Sequence, residues 1–183
     1  MKFSCEKALL QSMITIASRA VAPKSTIPAL EGVLLEAEQE LNLTGYNLKT
    51  GIRGTISADI AEPGSIVLSA RLFGDIIRRL PDDMVTLSTD DLMVNITCGM
   101  SEFNILGMDP SQFPELPAVE YQNSMILPQR ILHSMITETI FAVSTNDSRP
   151  IHTGELFERN GEGLLTVVAV DGYRLALRRE TTQ

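Results

Sequence analysis

Side chains able to react are scarce in this sequence and poorly spaced for catalysis. Cys5, Cys98, His133 and His152 are the only cysteines and histidines, and they do not recur at the short intervals a zinc site needs. There is no G-x-S-x-G elbow, no phosphate-cradling glycine loop and no nucleophile–base pair at a recognisable interval. His133 is expected on the polar side of a helix and His152 just ahead of a strand, so both read as structural. No catalytic residue, metal or cofactor is expected. What the chain offers instead is segregated charge. Its net charge is −8, which taken whole argues against a nucleic-acid binder. Yet the stretches with helical period contain Lys7, Arg19, Arg71, Arg78, Arg79 and Arg130 against only Glu6, Asp75 and Glu138. The acids therefore sit on strands and turns, while the helices carry a mild positive excess. Such a split lets an acidic protein present one face to a polyanion, although a plain solvated helix surface explains it equally well.

The elements that must position those charges follow from periodicity. Period-2 alternation predicts strands over 2–6, 32–38, 40–46, 51–60, 65–69, 84–89, 92–98 and 101–107. Helical spacing over 6–21 puts Leu9, Leu10, Met13, Ile14, Ala17 and Ala20 on one face. Over 70–80 it does the same for Leu72, Phe73, Ile76, Ile77 and Leu80. The order is β-α-β-β-β, twice. A further strand at 124–127, a helix over 128–142 with Pro128 at its first position, and strands at 153–159, 164–170 and 174–179 give the same pattern once more.

The third occurrence is also a sequence repeat. Residues 9–36 laid on 131–158 match without a gap at 11 of 28 positions, among them the shared block Ser-Met-Ile-Thr, Pro28/Pro150 and Gly32/Gly154. With two residues inserted, 41–47 then lies over 165–171. So long a period signals a repeated domain rather than a solenoid. Two modules are expected, 1–122 and 123–183, joined by an extended linker over 109–124, a stretch with three prolines and no period. The second module is expected to be incomplete, its first half only, which makes the chain a fragment or a natural truncation. Composition fits a globular protein, with 44% hydrophobic residues, and with 5% aromatics and no Trp the core must be aliphatic. No apolar run reaches the roughly 20 residues that span a membrane. The N-terminus does not read as a signal peptide, and two lone cysteines suggest a reducing, cytoplasmic setting.

The opening "MKF", "TIPALEGVLLE" (26–36), "LTGYNL" (43–48), "FPELP" (113–117), "SRPIHTGELFE" (148–158) and "VAVDGYRLALRRE" (168–180) together resemble the bacterial beta sliding clamps, the processivity subunits of DNA polymerase III. The resemblance implies an α+β DNA-clamp fold of duplicated β-α-β-β-β half-modules, with helices on one face of antiparallel sheets. It implies a non-enzymatic role: encircling double-stranded DNA without reading sequence, as a homodimeric ring. The partners it implies are DNA polymerase III subunits, the clamp loader and repair polymerases, docked through short peptide motifs. By resemblance, DNA contacts fall to Lys24 and Arg71 and to Asn146, Arg149, Pro150 and Ile151. Lys24 and Asn146 are equivalent in the repeat, so their loops should project from the same edge. One wall of the peptide pocket falls to Val170, Gly172, Tyr173, Arg174 and Leu175, and the dimer edge to Phe103 and Ile105, which alternate on the last strand of the first module. A competing expectation is a truncated protein-docking or regulatory module that no longer encircles DNA.

Overall fold

In a computed structural model, residues 1–119 and 124–182 are described. The chain divides into two compact units, 1–117 and 118–183, so the boundary expected between residues 122 and 123 lies outside the described residues. Among these, no helix is long and apolar enough to cross a membrane.

Unit 1 opens with β1 (Lys2–Glu6), whose alternation buries Phe3 and Cys5. α1 (Lys7–Ala17) follows, burying Leu10, Met13, Ile14 and Ala17 along one stripe. A 3₁₀ turn, Ser18–Ala20, and a second, Pro28–Glu31, bracket a loop. Then come β2 (Gly32–Ala37), β3 (Leu41–Tyr46), β4 (Gly51–Ile56), β5 (Asp59–Glu62) and β6 (Gly64–Ser69). α2 (Ala70–Arg79) starts where the Ser69 hydroxyl accepts from Leu72 N, and it ends on Arg78 and Arg79, where cations suit the helix dipole. β7 (Met84–Asp90), β8 (Met93–Cys98) and β9 (Ser101–Leu106) complete the unit. The β8–β9 hairpin turns on Gly99 at φ +56°, a left-handed conformation that suits a residue without Cβ.

All ladders are antiparallel. One sheet runs β4-β3-β2-β6 and the other β5-β1-β7-β8-β9. The two half-modules therefore exchange their first strands: β1 pairs with β7 of the second half, and β6 pairs with β2 of the first. Neither half could close its sheet alone. Between the sheets and beneath both helices lies one core containing Phe3, Leu10, Leu35, Leu43, Leu68, Phe73, Ile77, Leu87 and Ile96. Cys5 and Cys98 are buried free thiols. Burial, with a smaller contribution from Glu6, pushes Cys5 up to about 12, and burial likewise raises Cys98.

Three expectations need correction here. The strand expected over 51–60 is two strands in different sheets, β4 and β5; the alternation of Ile52, Ile56, Ala58 and Ile60 runs through the crossing with no glycine or proline to mark it. The expected linker packs on unit 1 instead. Met108 pairs with Val67, Asp109 caps a 3₁₀ turn at Pro110–Gln112, and Phe113 is buried with Ala29, Leu30, Tyr46 and Val67. Finally, Phe103 and Ile105 share the core-facing side of β9: Ile105 is buried in the core, and only Phe103 is partly open. β9 is still a sheet edge, with unpaired backbone on its outer side.

Unit 2 contains α3 (Gln129–Thr139), 3₁₀ turns at Ile140–Ala142 and Pro150–His152, and a sheet ordered β10 (Leu156–Arg159), β11 (Leu164–Val170), β12 (Leu175–Thr181). Met135, Leu165 and Val167 form its main cluster. The repeat holds in detail. α1 and α3 both have 11 residues, offset by 122. Ala22 N donates to Leu30 O, and Ser144 N to His152 O, closing the same loop in each unit; Leu30 N to Ile27 O matches His152 N to Arg149 O. The strand expected at 124–127 does not form. β1 is held by β5 and β7, and no described strand of unit 2 stands in their place. Pro128 lies one residue outside the helix, as its N-cap, with its carbonyl accepting from Ile131 N and Leu132 N.

Candidate functional site

In unit 1, α1 and α2 lie side by side with a groove between them. Gln11, Thr15 and Ser18 line one wall; Arg71, Asp75 and Arg78 line the other. Gly74 lies beside Ile14 of α1, where an added Cβ would rest at an ordinary contact distance of 3.5 Å from Ile14 Cγ2. At the N-terminal end of α2 the groove continues into a hollow lined by Val21, Ala22, Pro23, Glu31 and Arg71. The loop bearing exposed Lys24 thus borders the exposed Arg71.

The ion pairs refine the charge argument. Lys7 is paired with Asp82, and Arg78 with Asp75. Among the described residues, Arg19, Lys24, Arg71 and Arg79 have no carboxylate within ion-pairing distance, so these four supply the outward positive potential of this face. They are few, on flexible side chains, and suited to phosphate contact rather than to base reading.

In unit 2, the loop after α3 exposes Asn146, Arg149, Pro150 and Ile151. Asn146 is partly committed to the loop itself: its Oδ1 accepts from Ser148 N at 2.9 Å and its N–H donates to Ser144 Oγ at 3.1 Å. Pro150 opens the 3₁₀ turn and Ile151 projects from it. Within its own unit this loop occupies the place that the Lys24 loop has in unit 1.

The segment Val170–Leu175 ends β11, turns, and begins β12. Gly172 has φ +93°, a conformation that strains any residue with a Cβ. Asp171 organises the turn. Its Oδ1 accepts from Tyr173 N at 2.9 Å and Arg174 N at 3.0 Å, and its Oδ2 accepts from Arg174 Nε at 2.8 Å. Arg174 also lies 5.8 Å above the Phe141 ring. Much of the guanidinium is therefore engaged within the turn, while Tyr173 stands free in solvent. The two backbone donors, then Arg174, hold the Asp171 carboxyl below its ordinary value.

Cross-strand register adds residues that periodicity alone does not group. Leu156 opposes Val168, Val168 opposes Leu177, and Val170 opposes Leu175. Their side chains stand on the face away from α3, and Leu156, Leu175 and Leu177 are exposed. Two adjacent rows of aliphatic side chains next to a rigid Asp-Gly turn form a contiguous face able to receive an extended apolar segment. Leu156, Val168 and Leu177 escape sequence reasoning because alternation gives facing but not which residues stand opposite.

The turn gives a direct expectation. A depressed carboxylate stabilises the fold above its unfolded value, and that contribution is lost as pH falls through the folded value. The Tyr173 and Arg174 amide resonances should therefore hold steady on acidification through the ordinary aspartate range and move only below it. In Asp171→Ala, both amides should exchange faster with solvent at neutral pH. A titration midpoint at or above the ordinary aspartate value would contradict the assignment.

Comparison with known proteins places these features. Residues 1–117 match the family described as DNA polymerase III beta subunit, N-terminal domain, and residues 126–183 match the central domain of the same subunit. The beta sliding clamp of Halalkalibacterium halodurans is 36% identical over 98% of this chain and 50% of its own length; that of Staphylococcus aureus is 37% identical over 98% and 50%. The crystal structure of the DNA polymerase sliding clamp from Bacillus subtilis superposes with a TM-score of 0.93 at 33% identity, covering all of this chain and 50% of that one. A Pseudomonas aeruginosa sliding clamp bound to griselimycin superposes equally well at 32% identity and the same coverage. The chain spans about half the length of the curated relatives it matches. With the two family models falling on the two compact units in order, and relatives matched across nearly every residue, the chain belongs to the beta sliding clamp family of DNA polymerase III.

Proposed function

We propose that this chain serves as part of a DNA sliding clamp, a non-catalytic processivity factor whose helical face runs along duplex DNA. The observation that carries this reading is the α1–α2 surface, where Arg71, Arg19, Arg79 and nearby Lys24 stand free of carboxylate partners on an otherwise acidic protein. Sliding requires contacts that are few, sequence-independent and easily exchanged, and nothing in that action needs a reacting group. The Asn146–Ile151 loop would add a second contact in unit 2. In the ring of a full-length relative, the β9 edge with Phe103 would contribute to the homodimer contact.

The docking half of the same role falls to the outer face of unit 2. Its rows Leu156–Val168–Leu177 and Val170–Leu175, with Tyr173 beside them, suit short peptide segments of polymerase III subunits, the clamp loader and repair polymerases. This face also supports the second reading, a docking module that acts without encircling DNA.

Titration of labelled duplex separates the two. The chain should bind weakly at low salt and lose binding by physiological ionic strength. Arg71→Ala should weaken low-salt binding and reduce the salt slope by about 1. Leu156→Asp should leave DNA binding unchanged. Tight, salt-insensitive or sequence-dependent binding would overturn the clamp reading; absence of any DNA binding, with peptide binding retained, would favour the docking module.

A further inference from the structure

The repeat relates the open apolar face of unit 2 to a face of unit 1 that is already occupied. Leu34 is equivalent to Leu156, and past the two-residue insertion Thr44, Tyr46, Gly51 and Arg53 are equivalent to Val168, Val170, Leu175 and Leu177. The pairing agrees: Leu34 opposes Thr44, Thr44 opposes Arg53, and Tyr46 opposes Gly51, as their counterparts do in unit 2. In unit 1 this face is crossed by the chain's own residues 109–117. Phe113 is buried among Ala29, Leu30, Tyr46 and Val67, and Leu116 packs at the edge of the same cluster. The seat of Leu116 is made by a missing side chain: a Cβ at Gly51 would come within 2.6 Å of Leu116 Cδ2.

The strap is pinned at one end only. Its start is fixed by the Met108–Val67 pairing and by Asp109, which caps Ser111 at 2.8 Å. Beyond Phe113, whose N–H bonds back to Pro110 O, the strap makes no described hydrogen bond to the sheet; Pro114 and Pro117 lack an N–H to offer. A hollow of about 460 Å³ stays open between strap and sheet, lined by Leu34, Thr44, Arg53 and Phe113. Two side chains, three residues apart, thus hold the strap down.

We propose that this outer face of unit 1 is a second peptide-docking site, kept shut by the chain's own strap. Its ligand is an extended segment with an aromatic residue followed three positions later by an aliphatic one. The strap supplies the pattern directly, so the proposal does not depend on what the face of unit 2 binds. A tethered strap competes at an effective concentration in the millimolar range, so free ligand gains the site only when abundant or when the strap is weakened.

The test uses the full 183-residue chain, isotope-labelled, and a capped nonapeptide of sequence DPSQFPELP. Millimolar peptide should displace the strap and so shift the resonances of Gln112, Phe113 and Leu116 in the native chain, while Leu34, Tyr46 and Gly51 keep the same anchors against them; a peptide with both anchors replaced by Ala should do neither. Phe113→Ala combined with Leu116→Ala should bind the native peptide at least about tenfold more tightly, and adding Gly51→Leu should abolish that gain. A folded double variant that binds no better than the native chain would overturn the proposal, as would shifts confined to Leu156, Val168 and Leu177. If the double variant does not fold, the native titration decides alone, and unmoved Phe113 and Leu116 resonances at millimolar peptide refute the site.

Discussion

Gly45→Ala should destabilise unit 1 by about 3 kcal/mol, toward the upper end of what overpacking costs. Gly45 is buried near the C-terminal end of β3, where the end of α1 crosses the sheet. A Cβ there would collide with the Ala17 carbonyl oxygen, would lie 2.9 Å from the Ala17 carbonyl carbon, and would meet Val21 Cγ2 at 3.3 Å. The obstacle is helix backbone, which cannot turn aside as a side chain can. The sign is informative, because an unstrained glycine-to-alanine change stabilises by roughly 0.4–1 kcal/mol through the unfolded chain. Gly54, on adjacent β4, is the control. A Cβ there meets only the thioether end of Met13, which can swing away, so Gly54→Ala should stay within about 1 kcal/mol of the native protein. Unit 2 has Ala169 at the position equivalent to Gly45, so its helix end must tolerate the methyl group. Chemical denaturation followed at unit 1 resonances measures both variants. Equal stabilities for Gly45→Ala and Gly54→Ala would show that the helix end has freedom to move.

The gapless repeat was legible because helix, 3₁₀ turn and loop are local structures. Each is set by residues near in sequence, so 11 identities in 28 carried the α1–loop geometry into unit 2 down to individual hydrogen bonds. Strand partnership is not local, and there the sequence was silent. Nothing in the alternation of residues 2–6 or 65–69 tells that these strands trade sheets, and the unbroken pattern through Ser57 and Ala58 conceals a change of sheet. The strap was missed for a different reason. Phe113 and Leu116 are only two anchors, three residues apart, among prolines that bar a helix, so their burial leaves no periodic trace. Among the candidate sites, segregated charge was visible as composition, but the meeting of the Lys24 loop with Arg71 required the fold. The outer face of unit 2 depends on register, so only its turn residues could be named beforehand.

Leu10→Ala and Leu132→Ala should differ sharply, although the two leucines are equivalent in the repeat and followed by the same Ser-Met-Ile-Thr block. Leu10 is fully buried and shares its core with Phe3, Cys5, Phe73, Ile77 and Val85. Those neighbours come from α2 and from the sheet that β1 shares with the second half of unit 1, so Leu10 is enclosed by elements far along the chain. Truncating it removes the transfer free energy of three carbon atoms and leaves a cavity in a close-packed interior, a loss of about 2–5 kcal/mol. Leu132 is 36% exposed, and no described strand of unit 2 takes the place of β1 and β7 beside α3. Solvent fills whatever its truncation vacates, so only part of the transfer term is lost and the cost should stay below about 1.5 kcal/mol. The shared Met residues provide the internal check: Met13 and Met135 are both buried, so alanine at either should be costly, about 2–5 kcal/mol. Amide exchange read separately in each unit resolves all four variants. Equal costs at Leu10 and Leu132 would mean that α3 is as enclosed in solution as α1, with its exposed flank covered by a packing partner.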